Sequence, residues 1–180
     1  TVVINFLGTL RGNGRMVVTN LPLRWFYTGM IYYFITCFQC ALQVTLTFQK
    51  LIHFTDWVVG HAHLVMFGVF SMWIFGFMTY LFPRLLGREW YSRKLCEYHY
   101  WFSAVGVFIM FLDLGLAGVF QGYYWSSLQP WEDSVNGSQP FWITRVFAGL
   151  LMFSGFLCFV YNLLKTYASS PAAKNADVRA

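Results

Sequence analysis

Four runs of this chain, roughly 25–48, 57–82, 100–121 and 141–165, are almost wholly apolar. Each is long enough to cross a bilayer, whose hydrocarbon core of ~30 Å needs ~20 helical residues. Only a helix closes all its backbone hydrogen bonds internally in lipid, so each run reads as a helix. Residues 1–10 read as the end of a fifth span whose beginning lies upstream. Of 180 residues, 58% are hydrophobic and 11% charged, which excludes a soluble single domain. The expected fold class is all-α, a polytopic transmembrane helix bundle with four full spans plus the end of a fifth. Residues 1–167 form its membrane part and 168–180 a tail.

Local signals set the expected boundaries. Asp56 is a good N-cap for the second span, Pro83 ends it, and Pro140 opens the fourth. Gly12, Asn13 and Gly14 mark the first turn. The loops alternate in charge. Residues 11–24 carry Arg11, Arg15 and Arg24; 83–99 carry Arg84, Arg88, Arg93 and Lys94; the C-terminal tail carries Lys165, Lys174 and Arg179. The 49–56 loop has only Lys50, and 122–140 has no cation but holds Glu132 and Asp133. Ten of the 12 basic residues therefore share one side, which the positive-inside rule makes cytoplasmic. The net charge of +5 does not point to nucleic acid, because the basic residues sit in short clusters between apolar runs. Tyr123, Tyr124, Trp125, Trp131 and Trp142 suit an interfacial aromatic belt at the opposite, outer side. Cys37, Cys40 and Cys158 lie inside apolar runs and read as small hydrophobes in helix packing.

The stretch "WVVGHAHLV" (57–65) places two histidines in surroundings with almost no other polar group. Two helical steps turn ~200°, so His61 and His63 project from nearly opposite faces. One metal ion cannot take both; a shared ion uses i, i+4 spacing. Two centres flanking one helix do fit, and haem iron is the usual large apolar cofactor held by histidine in such a bundle. Ala62, with Gly60 and Gly68, would let flat macrocycles approach the backbone. The rival reading gives each histidine a hydrogen bond to a neighbouring helix or to water.

These residues carry a resemblance. "HFTDWVVGHAHLVMFG" (53–68) resembles the tenth-helix motif of the haem–copper oxidase superfamily's catalytic subunit, subunit I. It is most similar to cbb3-type cytochrome c oxidases and the related nitric oxide reductases. The histidine–TDW–HxH context favours the cbb3 type, whereas "HLVMFG" followed by "PRLLG" (83–87) is more like the reductases. "QPFWITRVFAGLLMFSG" (139–155) is similar to the opening of the last helix in cbb3-type subunits. The likeness runs to about Tyr167 and corresponds to the C-terminal part of a twelve-helix subunit.

The resemblance implies a function. His61 would be the catalytic residue, the proximal ligand of the high-spin haem iron, and His63 an axial ligand of the low-spin haem iron. The cofactors would be two b-type haems, with copper, or non-haem iron, bound by residues outside this chain. Electrons from cytochrome c or c-type cytochrome subunits would reduce oxygen to water, coupled to proton uptake and pumping, in a bacterial inner (plasma) membrane. The remaining part of the catalytic subunit and membrane lipid complete the expected partners. Because the chain starts at Thr1 and lacks the other metal ligands, it is expected to be one piece of that subunit. The alternatives are a nitric oxide reductase-type subunit, a dihaem b-type electron-transfer anchor, and a cofactor-free structural subunit.

Further residues join the expected site. Arg145, read as lying in the first turn of the fourth helix, suits either a haem propionate or an interfacial anchor. His53 and Trp57, with Lys50 and Asp56, lie at the same level. Thr28, Tyr32, Thr36, Gln39 and Gln43 share one helix face, either as interhelical hydrogen bonding or as a proton file. Gln39 departs from the family, which usually carries a glutamate near this position; the amide cannot exchange protons. Asp113, in "MFLDLGLAG", either pairs inside the bundle, keeps its proton, or relays one. Gln39, Gln43 and Asp113 are the candidate proton path. His99, in "EYHYW", reads as an interfacial histidine.

Overall fold

The apolar runs fall in helices of the computed structural model, the first of them broken at Val44 and Thr45; the structure describes residues 1–127 and 129–169. Helix is the only regular structure among those residues. In chain order the elements are α1 (Val2–Leu10), α2 (Arg15–Thr19), α3 (Leu21–Gln43), α4 (Leu46–Ile52) and α5 (Asp56–His63). A π-helical segment (Leu64–Ser71) joins α5 directly to α6 (Met72–Leu86), followed by α7 (Arg93–Ser126) and α8 (Trp131–Ala168). Asp56–Leu86, α7 and α8 are each long and apolar enough to cross a membrane, and the bent pair α3–α4 makes a fourth if counted as one span. Tail residues 170–180, with Lys174 and Arg179, lie outside the described residues.

Several expected boundaries shift, each for a physical reason. The first span stops at Gln43, because the chain bends by 102° into α4. Thr45 makes that corner with extended backbone, and its hydroxyl takes the Leu42 carbonyl at 2.7 Å. Thr55, not Asp56, caps α5: its side chain accepts from Trp57 N at 3.4 Å. Pro83 does not end its helix, which continues to Leu86 and closes at Gly87 in the left-handed conformation that glycine adopts at no steric cost. A proline forfeits the bond to the carbonyl four residues back. That carbonyl, on Thr79, is taken instead by Trp90 Nε1–H at 3.0 Å. Pro140 likewise lies inside α8, which opens at Trp131. The residues before it are held against α7, where Trp125 Nε1–H donates to Ser134 Oγ at 3.0 Å.

His99 is not interfacial. It is 1% exposed, enclosed by Trp25, Phe75 and Phe159 with ring centroids 4.7, 4.5 and 4.9 Å away. Because α7 begins at Arg93, His99 falls more than a turn inside the helix, on the face that packs.

The core centres on Trp25, Tyr32, Leu64, Met72, Tyr100 and Val107, drawn from α3, the π segment, α6 and α7. The α7 helix packs most extensively on α8 and next on α5. Close approach to α5 requires Gly118, where a Cβ would overlap the Trp57 backbone nitrogen.

The basic loops gather at one end of this bundle. Arg24 pairs with Glu97 at 2.6 Å, and Arg93 donates to the Thr19 carbonyl at 3.3 Å. Arg88 donates to the last carbonyls of α8, at Thr166 (3.4 Å) and Tyr167 (2.8 Å). Asn162 accepts from Ser92 N and donates to Ser92 O, both at 2.9 Å. The N-terminus of α5 lies at the other end.

Candidate functional site

Three faces of α5 meet three environments. Gly60 lies against α7, where a Cβ would come 2.9 Å from Leu114 Cβ. His61 turns toward α3, half-buried, and His63 is exposed on the remaining side. The two imidazoles therefore sit on different sides of one helix, as their spacing requires. Gly60 and Gly68 do not open the backbone to a cofactor as expected. Gly68 packs on α3, where a Cβ would come 3.1 Å from the Tyr32 ring. Both glycines are used up in helix–helix contact, while Ala62 is exposed.

Each imidazole is held through Nδ1. His61 Nδ1–H donates to Gln39 Oε1 at 3.0 Å, and His63 Nδ1–H donates to the Val59 carbonyl at 2.8 Å. An oxygen acceptor fixes the proton on Nδ1 and leaves the Nε2 lone pair for a metal. For His61 the partner of Nε2 is the Cys40 thiol, a weak donor at 3.7 Å. Neither histidine has two further His, Cys, Asp or Glu side chains around it among the described residues. Each would act as a lone ligand, which suits iron whose other ligands come from a macrocycle. The donor set fits haem.

The other expected residues divide into two groups. Around His61 lie Gln39, 5% exposed, and Cys40. Gln43 sits one turn beyond Gln39, its Nε2 buried without a partner. Asp113 is 8% exposed on α7, and its Oδ2 has no hydrogen-bond partner. No hydrogen bond among the described residues joins Asp113 to either glutamine, and the expected pairing within the bundle is not made through that oxygen. In the polar stripe of α3, Thr28 bonds to Tyr100 at 2.7 Å and Tyr32 to the Ala104 carbonyl at 2.8 Å, while the Thr36 hydroxyl stays on its own helix at the Tyr33 carbonyl.

At the N-terminal end of α5, the Trp57 ring is half-buried between Phe48 and Gly115, its Nε1 enclosed without a partner. His53 is exposed and accepts from Gln49 Nε2 at 2.8 Å. Arg145 is half-buried and makes no ion pair among the described residues. It belongs to the interior of α8, not its first turn, one turn beyond Trp142. Gln121, which the sequence did not single out, completes this end. Asp56 Oδ2 accepts from Gln121 Nε2 at 2.8 Å and from Trp142 Nε1 at 3.1 Å. Gln121 was legible only as one polar residue in an apolar run; its partner lies 65 positions away.

The comparisons with known proteins give the family and the fold. Residues 1–151 match the family described as Cytochrome C and Quinol oxidase polypeptide I, and the chain belongs to that family. It is 29% identical to the cytochrome c oxidase subunit 1 of Rhodobacter capsulatus over 98% of this chain and 35% of that protein. It is 27% identical to the Cbb3-type cytochrome c oxidase subunit CcoN1 of Stutzerimonas stutzeri, over 97% of this chain and 39% of that one. A cryo-EM structure of a heme-copper terminal oxidase dimer shares the fold with a TM-score of 0.71 at 19% identity, covering 87% of this chain and 28% of its own. The chain thus spans little more than a third of the length of these curated relatives.

Proposed function

We propose that this chain carries the ligand helix of a terminal respiratory oxidase of the cbb3-like cytochrome c oxidase type, with His61 holding the high-spin and His63 the low-spin b-type haem. The observation that carries this reading is the pair of Nδ1–H bonds, to Gln39 and to Val59, that frees one Nε2 on each side of α5. When bound, the haem irons, with copper or non-haem iron held outside this chain, supply electron transfer and the reduction of oxygen to water. His61 and His63 bind and orient; α5 between them is a shared wall. Arg145, His53 and Trp57 would hold haem carboxylates, for which a guanidinium and an indole N–H are apt donors. Asp113 is the titratable member of the candidate proton path, and Gln39 and Gln43 would orient water without taking a proton. The basic end is cytoplasmic, and c-type cytochromes or cytochrome c deliver electrons at the other.

The test uses the intact complex. Two haem b components are expected in its optical spectrum, with oxygen consumed when reduced cytochrome c is supplied. His61→Ala should remove the high-spin component alone and His63→Ala the low-spin component alone. Nitric oxide consumption without oxygen consumption would move the reading to a nitric oxide reductase. Haem without turnover of either gas would leave a dihaem anchor.

A further inference from the structure

Asp56 and Gln121 are joined twice. Asp56 N–H donates to Gln121 Oε1 at 2.8 Å, and Gln121 Nε2 donates back to Asp56 Oδ2 at 2.8 Å. Trp142 of α8 adds its Nε1–H to the same carboxylate oxygen at 3.1 Å, and Ser138 accepts from Gln121 Nε2 at 3.4 Å. Gln121 is 6% exposed and Ser138 1%, so the glutamine side of these bonds is buried, while Asp56 and Trp142 are half-buried. The first residue of α5 is thereby tied to two other helices, in two directions.

We infer that Gln121 is a positioning residue for both iron ligands, acting through the rotation of α5 about its own axis; this rests on reading His61 and His63 as haem ligands. The two ligands leave opposite faces of the helix, so one angle sets both. Any turn of α5 swings the two Nε2 atoms in opposite directions across the bundle, and neither can be corrected alone. Packing sets part of that angle: Gly60 and Gly118 seat α5 closely on α7, and the π-helical segment after His63 packs on α3 through Gly68. Hydrogen bonds add direction to that packing, because they weaken steeply once misaligned. The directional bonds at this end of α5 to another helix are those of Asp56.

The experiment compares Gln121→Leu, Trp142→Phe, Asp56→Asn and Gln39→Leu in the full complex, each with its haem content measured. The readouts are the EPR g values of the low-spin haem and the Fe–His stretching frequency of the high-spin haem. Gln121→Leu is expected to shift both, and Trp142→Phe to shift both by less. Asp56→Asn keeps an acceptor oxygen for the same two N–H groups and is expected to keep the parent values. Gln39→Leu touches His61 alone and is expected to shift only the high-spin signal. The inference is overturned if Gln121→Leu, with full haem content, leaves both signals in place or moves only one. If Gln121→Leu does not assemble, Trp142→Phe decides by the same criterion. A parent complex without haem b removes the functional reading itself, an outcome distinct from unchanged signals in a haem-loaded variant.

Discussion

Gln39 decides which nitrogen of His61 is available. Its Oε1 accepts from His61 Nδ1–H at 3.0 Å, and the glutamine itself is 5% exposed. An acceptor on the far side of a ligand imidazole makes it a better electron donor and stabilises the oxidised metal. Gln39→Leu should therefore raise the midpoint potential of the high-spin haem, and Gln39→Glu, an anionic acceptor, should lower it. Shifts of tens of millivolts are expected, ~59 mV being a tenfold change for one electron. A redox titration of the intact complex that found either shift reversed would show that Gln39 does not act through His61. The two histidines themselves were legible from their spacing, because a helix turns by a known angle per residue. Their Nδ1 acceptors were only half legible: Val59 lies one turn back on the same helix, but Gln39 comes from another.

At the scale of elements, the second span shows how a local stop signal can be overruled. Pro83 removes one hydrogen bond from α6, and the orphaned Thr79 carbonyl is answered by Trp90 Nε1–H from the following loop. Trp90→Phe keeps an aromatic ring, though a smaller one, and deletes that donor. It should cost about 1–3 kcal/mol, the penalty for leaving a buried acceptor unpaired. The check is a lowered midpoint of thermal unfolding with haem content unchanged at the start. Pro140 follows the same logic, whereas the corner at Thr45 is made by a local bond to Leu42. At both prolines the sequence signal was real, but side-chain bonds made on folding carried the helix past it. The apolar runs themselves were easier to read. A stretch that must satisfy every backbone group in lipid has one regular solution, so existence and type were legible where ends were not.

For the whole molecule, the gathering of the basic loops at one end is a tertiary fact with a stability consequence. Asn162 is 1% exposed and ties α8 to Ser92 and Cys96 at the start of α7. Asn162→Leu should leave the half-buried Ser92 N–H without its partner and the Ser92 carbonyl with only the Cys96 N–H, and destabilise the assembly by about 1–3 kcal/mol. Faster proteolysis of the 87–92 connection is the readout. Orientation is tested separately. A cysteine introduced as Glu89→Cys, at an exposed position beside Arg88, should react with a membrane-impermeant reagent in inverted vesicles and not in right-side-out ones. The opposite labelling pattern would reverse the proposed orientation.

Hydropathy, loop charge and the two-residue histidine spacing are local properties, so the sequence by itself determined a helical membrane bundle, loops that alternate in charge and a helix with one histidine on each side. The HxH context also carried the family, which the match over residues 1–151 bears out. Only the tertiary structure decided where the helices stop, that His99 is enclosed, that Gly60 and Gly68 serve packing, and that Gln121 and Trp142 hold the start of α5. Each of these depends on a partner brought close by folding, and hydrogen bonding and close packing are read from positions in space, not from neighbours along the chain.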